Sequence, residues 1–223
     1  SIRPESDLLH PIVTHHVAER WNVYPEKHTK RVLYPHTIVN GKRTAINLDR
    51  YPRAAAYLES FRSELESRTY LMNGARKWYE IWVPQDPTAW RQPKIIFPDI
   101  AETPRFSLDE SGAVVNGDCY WMLCERAATP SDISLMLAVA NSTFAEKFYD
   151  AVCGNKLYAG RRRYITQYVE RFPIPKIVQN ERDHIHQLVE QLRSFNAGDS
   201  SIAVVEADLD ALVWMAFGLS KEV

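Results

Sequence analysis

The sequence predicts an α+β fold, a mixed β-sheet domain packed by helices with a helical appendage at its C-terminal end. Three observations predict it. Short strand-like runs fill the first 48 positions and residues 78–123. Apolar residues recur at helical spacing over 52–67 and 131–150. Two further helical patterns close the chain over about 180–219. With 223 residues, 45% hydrophobic and 25% charged, the chain can bury a core without disulfides.

The elements follow in order. Arg31-Val32-Leu33-Tyr34 and His36-Thr37-Ile38-Val39 read as strands, and Asn40-Gly41 before Thr44-Ala45-Ile46 is a hairpin signal. Asp49 is placed to cap a helix with Pro52 in its first turn, and Ala55, Tyr57, Leu58, Phe61 and Leu65 share its inner face to about Arg68. Tyr79, Ile81 and Val83 alternate with Glu80 and Trp82 as in a strand. Lys94-Ile95-Ile96-Phe97, closed by Pro98, is a second strand, and Phe106–Val115 and Cys119–Leu123 flank glycine turns. Pro130-Ser131-Asp132 opens a helix that Asn141-Ser142 divides into two. Phe172-Pro173-Ile174-Pro175 is a stretch no helix can enter. Beyond it Ile185, Leu188, Val189 and Leu192, then Val205, Leu209, Leu212 and Val213, mark the last two helices. These divide the chain into residues 1–176 and a helical segment at 177–223.

The net charge of -1 hides a block pattern. Residues 1–105 carry +4, residues 106–155 carry -5, residues 156–176 carry +5 and residues 177–223 carry -5. A short basic segment thus lies between two acidic ones. Three cysteines, Cys119, Cys124 and Cys153, do not make a disulfide framework and point to a reduced, cytoplasmic setting. No apolar run approaches a membrane span, so no membrane partner is expected, and no signal peptide opens the chain. Without methionine at position 1, the chain reads as a piece of something longer.

Several chemistries are missing. No phosphate-cradling glycine loop occurs, no Gly-x-Ser-x-Gly elbow, and none of the nine lysines follows a carboxylate by two positions as in metal-dependent nucleases. Cys119 and Cys124 have no second pair or histidine at zinc spacing, so no metal is expected. A methyltransferase centre would need an Asn/Asp-Pro-Pro-aromatic loop and a glycine-rich cofactor loop, and neither is present. The chain is expected to have no catalytic residues and no cofactor of its own.

What is present is basic and aromatic. Arg161, Arg162 and Arg163, with Lys156 before them and Tyr158, Tyr164 and Tyr168 around them, combine phosphate clamps, base-edge donors and stacking rings. On a strand Arg161 and Arg163 share one face while Arg162 points away. The competing reading pairs the triplet with the acidic blocks on either side. Arg76-Lys77 beside Trp78-Tyr79 is a second candidate, and the basic scatter of Arg20, Lys27, Lys30, Arg31, Lys42 and Arg43 is a third.

An ordered series of motifs then resembles a known family. Lys77-Trp78-Tyr79-Glu80-Ile81-Trp82, Pro93-Lys94-Ile95-Ile96-Phe97-Pro98-Asp99-Ile100, Pro104-Arg105-Phe106-Ser107-Leu108-Asp109 and Gly117-Asp118-Cys119-Tyr120 are followed by Leu137-Ala138-Val139-Ala140-Asn141-Ser142 and by Arg171-Phe172-Pro173-Ile174-Pro175. The series is similar to the TaqI-like C-terminal specificity domain of adenine-specific DNA methyltransferases and fused restriction-modification enzymes. The end of the chain, with Asp208-Leu209-Asp210 and Phe217-Gly218-Leu219, resembles the closing helix of such enzymes.

The resemblance implies a target-recognition domain for double-stranded DNA. Its catalytic partner would be an N-terminal methyltransferase domain that binds S-adenosylmethionine and flips the adenine. In that reading Asn141-Ser142 and Phe172–Pro175 are scaffold, and bases are read by residues the family does not fix. Two other classes stay open from the residues alone. One is a protein-docking module of a DNA-modification complex. The other is an enzyme of another type, for which Asp118 and Glu80 are the first carboxylates to consider.

Overall fold

The computed structural model describes residues 2–23, 30–124, 128–154, 156–196 and 198–220, and the architecture among them is α+β. The N-terminal strands are β1 (Leu9–Val13), β2 (Trp21–Asn22), β3 (Arg31–Leu33), β4 (His36–Val39) and β5 (Lys42–Ala45). Helices α1 (Pro52–Glu59), α2 (Arg62–Glu66), α3 (Thr69–Asn73) and α4 (Pro87–Trp90) follow. The central strands are β6 (Lys94–Pro98), β7 (Ile100–Ala101), β8 (Ser107–Asp109), β9 (Val114–Val115) and β10 (Cys119–Leu123). Helices α5 (Pro130–Ala140) and α6 (Thr143–Val152), strand β11 (Arg162–Arg163), and helices α7 (Thr166–Val169), α8 (Gln179–Ser194) and α9 (Ile202–Ala216) complete the order.

The single mixed sheet expected from the sequence is divided. A four-stranded sheet runs β10-β6-β8-β2 and a three-stranded one β3-β1-β9, each combining parallel and antiparallel pairs. The pairs β11-β7 and β4-β5 stand apart. Strands of two to five residues, cut by prolines such as Pro35, Pro93, Pro98 and Pro104, cannot propagate one continuous ladder.

Residues 78–83 correct the sequence reading most sharply, because they form turns and no strand. Their backbone groups are taken by side chains. Arg68 donates to the carbonyls of Trp78 and Glu80, Glu80 accepts from the Lys77 N–H, and the Ile81 N–H donates to Nε2 of His36. The alternation is real, but Tyr79 is buried through a hydrogen bond from its hydroxyl to the Ile46 carbonyl. The expected helix at 52–67 is broken at Ser60-Phe61, and Asp49 does not cap it. Glu5 does, both its oxygens accepting from the Arg53 and Ala54 N–H groups.

The helix break at Asn141-Ser142 is as expected, and its chemistry is explicit. The buried Asn141 amide bonds the N–H and the carbonyl of Phe106 at 2.8 Å each, splicing α5 to the four-stranded sheet. Ser142 caps α6 through the Ala145 N–H, and Asp210 on α9 accepts from the Thr143 N–H and hydroxyl. The largest core cluster joins Phe97, Phe106, Leu135 and Tyr149 to Ile185, Val189, Leu209 and Val213. Residues 177–223 therefore carry α8 and α9 into the same core as the sheet. Glu206 on α9 also accepts from the Trp21 indole and from Arg20. Among the described residues no helix is long and apolar enough to cross a membrane.

Candidate nucleic-acid interface

The triplet segment is built on a tight turn. Ala159 and Gly160 take φ values of 57° and 72°, so the chain reverses and pairs β11 with β7, placing Arg162 opposite Ala101 and Arg163 opposite Ile100. Side chains alternate across a strand, and here the alternation decides which arginines are exposed. Arg161 and Arg163 face outward, while Arg162 turns in and is 7% exposed. Its Nε and Nη2 donate to the two oxygens of Asp150 at 2.8 Å, Nη1 donates to the Glu102 carbonyl at 2.7 Å, and Glu146 lies 2.8 Å away. The hydrogen bonds it donates to Asp150, and then the nearby Glu146 charge, hold this guanidinium firmly protonated against its partial burial.

The expected DNA-contact role of Arg162 is therefore corrected, because its donors are consumed inside the protein. Tyr164 is corrected too. It is 1% exposed, packs on Phe106 and Tyr149, and its hydroxyl is pushed up by burial. Lys156 and Arg163 lie at the surface but are paired, Lys156 with Asp150 at 2.7 Å and Arg163 with Asp99 at 3.0 Å.

Arg161 and Tyr158 keep a free outward face. Tyr158 is 79% exposed, with the Arg161 guanidinium 5.6 Å from its ring centre. Arg161 borders a cleft of about 570 Å³ whose lining mixes His15, Arg105 and Thr103 with Asp99, Glu102 and Asp118. His15 is held to Asp118 at 2.5 Å, and Arg105 donates to the carbonyls of His15 and Ala18. The positive potential of this cleft is thus largely offset by its own carboxylates.

The second and third sequence candidates meet in one place. Strands β4 and β5 form a ribbon with a two-residue turn, Asn40 and Gly41 at φ 50° and 72°, and Val39 paired with Lys42 and Ile38 with Arg43. Thr37 through Thr44 are all exposed. Gly41, Lys42 and Arg43 line, with Arg76, Trp82, Val83 and Pro84, a cleft of about 490 Å³ in which no carboxylate occurs among the described lining residues. Arg76 is half-buried, bonded to Glu80 at 3.0 Å with its guanidinium 5.8 Å from the Trp82 ring, and Lys77 is exposed beside Tyr79.

Elsewhere the scatter disperses. Arg20 is bound to Glu206 and to the Asn141 carbonyl, Lys30 and Arg31 are exposed, and Lys27 lies outside the described residues. Reading Lys42 and Arg43 as part of the Asn40-Gly41 hairpin, instead of as scattered charges, was the signal that marks this cleft in the sequence. No group of His, Cys, Asp and Glu that could hold a metal occurs among the described residues.

His36 secures the base of the ribbon. Burial lowers its pKa, opposed by the Glu80 charge and reinforced by Arg76, and it must stay neutral at Nε2 to accept from Ile81. His10 is also lowered by burial, against the Asp7 charge. The unfolded chain therefore takes up protons first, so stability is full above about pH 6.5 and falls as pH drops below it. Urea midpoints measured from pH 7.5 down to pH 5 should decline, and a His36→Gln variant should show a shallower decline.

The family model for the TaqI-like C-terminal specificity domain matches residues 36–174. The type II methyltransferase M.BanIII of Aneurinibacillus aneurinilyticus is 35% identical over 220 residues, covering 99% of this chain and 38% of that protein. The type II methyltransferase M.BstVI of Geobacillus stearothermophilus is 24% identical over 220 residues, covering 97% of this chain and 35% of that protein. The chain spans little more than a third of the length of these relatives.

Proposed function

The chain belongs to the TaqI-like C-terminal specificity-domain family, and from that premise we propose that it recognises a target sequence in duplex DNA on behalf of an adenine-specific methyltransferase. The observation that carries the reading is the basic cleft between the β4–β5 ribbon and Trp82, where cations and a ring meet with no carboxylate among the described lining residues. Lysine and arginine contacts to phosphates supply most of the affinity of such an interface, and a few base-edge contacts supply its preference. The mixed cleft at Arg161 adds a flanking phosphate contact, with Tyr158 as a stacking face.

In this reading methyl transfer belongs to a separate N-terminal domain that extrudes the adenine and binds S-adenosylmethionine. The residues here do not fit that cofactor: no described helix opens on a glycine, and no Asn-Pro-Pro-aromatic loop occurs. The contribution of this chain is to hold the duplex and set its register. A parent enzyme of restriction-modification or phage-defence type, working in the cytoplasm, is part of the same proposal.

The test is binding of this chain to duplex DNA by fluorescence anisotropy across a salt series. Log affinity should fall linearly with log salt. Arg161→Ala should weaken binding to all duplexes alike and reduce the slope by about one, with thermal stability unchanged within about 0.5 kcal/mol. Absence of duplex binding down to low salt would remove the proposal.

A further inference from the structure

The ribbon has features that a structural hairpin does not need. A two-stranded hairpin alone is marginal in water and survives by packing one face on a core. Here both faces are bare from Thr37 to Thr44, leaving Ile38 39% and Val39 48% exposed. Only the base is tied down: His36 accepts from Ile81, the Ile46 N–H donates to the Pro35 carbonyl, and Ile46 is buried in the cluster around Leu8 and Ala54. The register puts Lys42 on one face with Val39, and Arg43 on the other with Ile38. Each face therefore presents one cation and one apolar side chain near the tip. Neither cation makes an ion pair among the described residues.

Trp82 is fixed beside this ribbon. A Cβ added to Gly74 would lie 2.9 Å from its ring, so the glycine admits the indole, and Tyr70 packs edge-on at 5.6 Å. Trp82 nevertheless stays 47% exposed and lines the cleft. A packed, half-exposed indole next to two exposed cations, of which Arg43 also feels the Asp86 charge, is a surface suited to a polyanion bearing rings or sugars.

We propose that the β4–β5 ribbon enters the major groove of the target duplex and reads base edges with Lys42 and Arg43, while Trp82 and Arg76 brace the adjoining sugar-phosphate strand. This rests on the duplex-recognition reading and names the element that performs it. The major groove, about 12 Å wide, admits a two-stranded ribbon. Arginine or lysine donates to guanine O6 and N7, and apolar side chains such as Ile38 and Val39 suit thymine methyl groups. The triplet cleft, with Asp99, Glu102 and Asp118 in its wall, is the poorer reader.

The test uses this chain and a random duplex pool. Selection yields the preferred sequence, and anisotropy then compares it with a scrambled competitor. Lys42→Ala with Arg43→Ala should cut affinity for the preferred duplex by roughly 10- to 100-fold, towards the competitor, with an unchanged melting temperature. Arg43→Lys keeps the charge and loses the planar fork, so it should keep the salt slope and lose preference at one base pair. Arg161→Ala should leave the ratio of preferred to scrambled affinity unchanged. If wild type binds duplex DNA and both ribbon variants keep the wild-type ratio, the ribbon assignment is overturned while duplex recognition stands. If wild type binds no duplex, both fall.

Discussion

Replacing Lys94 with Met should lower folding stability by about 3–5 kcal/mol, the largest loss expected from any single substitution in this protein. Lys94 and Asp109 face each other across β6 and β8 with both side chains wholly excluded from solvent, Nζ 2.5 Å from Oδ2. The ammonium also donates to the Trp90 carbonyl at 2.7 Å, and Ser111 donates to Oδ1 of Asp109. Oδ2 has only the ammonium, so removing Lys94 strands a charge in the middle of the sheet. Taking both charges away by Lys94→Met with Asp109→Leu should recover most of the loss, since paired burial itself gains little over packed apolar groups. Urea denaturation of the two singles and the double closes the cycle. Additive losses would show that the pair is not coupled.

Arg162→Ala is the second large effect, and it separates two arginines that are neighbours in sequence. Glu146 would lose its ion pair, Asp150 would keep only Lys156 among the described residues, and the Glu102 carbonyl would lose its donor. A loss of about 2–4 kcal/mol is expected, below the fully buried limit because both carboxylates keep some water. The melting temperature should fall, and duplex affinity measured well below it should stay near wild type. Weakened binding at unchanged stability would instead put Arg162 at the surface and contradict its burial.

Much of the fold is legible in the sequence because local signals act alone there. Asn40-Gly41 dictates a tight hairpin, Pro130-Ser131-Asp132 opens α5, and Asn141-Ser142 ends one helix and caps the next. Residues 78–83 were not legible, because a strand pattern says nothing about whether Arg68 and His36, distant in sequence, claim the backbone first. The cap on α1 is hidden in the same way, since Glu5 lies 48 positions from Arg53.

At the candidate site, period-two alternation correctly separates Arg162 from Arg161 and Arg163. Composition could not say that Asp99 and Asp150 would claim so many of the segment's cations. Nor could it show Tyr164 to be core, because a tyrosine beside arginines looks the same whether it stacks on a base or on Phe106. The cleft that survives joins residues around 42 and 76, which the packing of Ile46 with Tyr79 and the His36–Ile81 hydrogen bond bring together.

The ribbon touches the packed interior only through its base. Outside the Asn40-Gly41 turn, the exposed positions of the ribbon can consequently mutate with little penalty in folding, whereas α5, α6 and α9 are tied into one interlocked body. Under the proposed ribbon readout, a lineage carrying such a domain revises its preferred word one letter at a time at the tip and inherits the rest of the molecule unaltered.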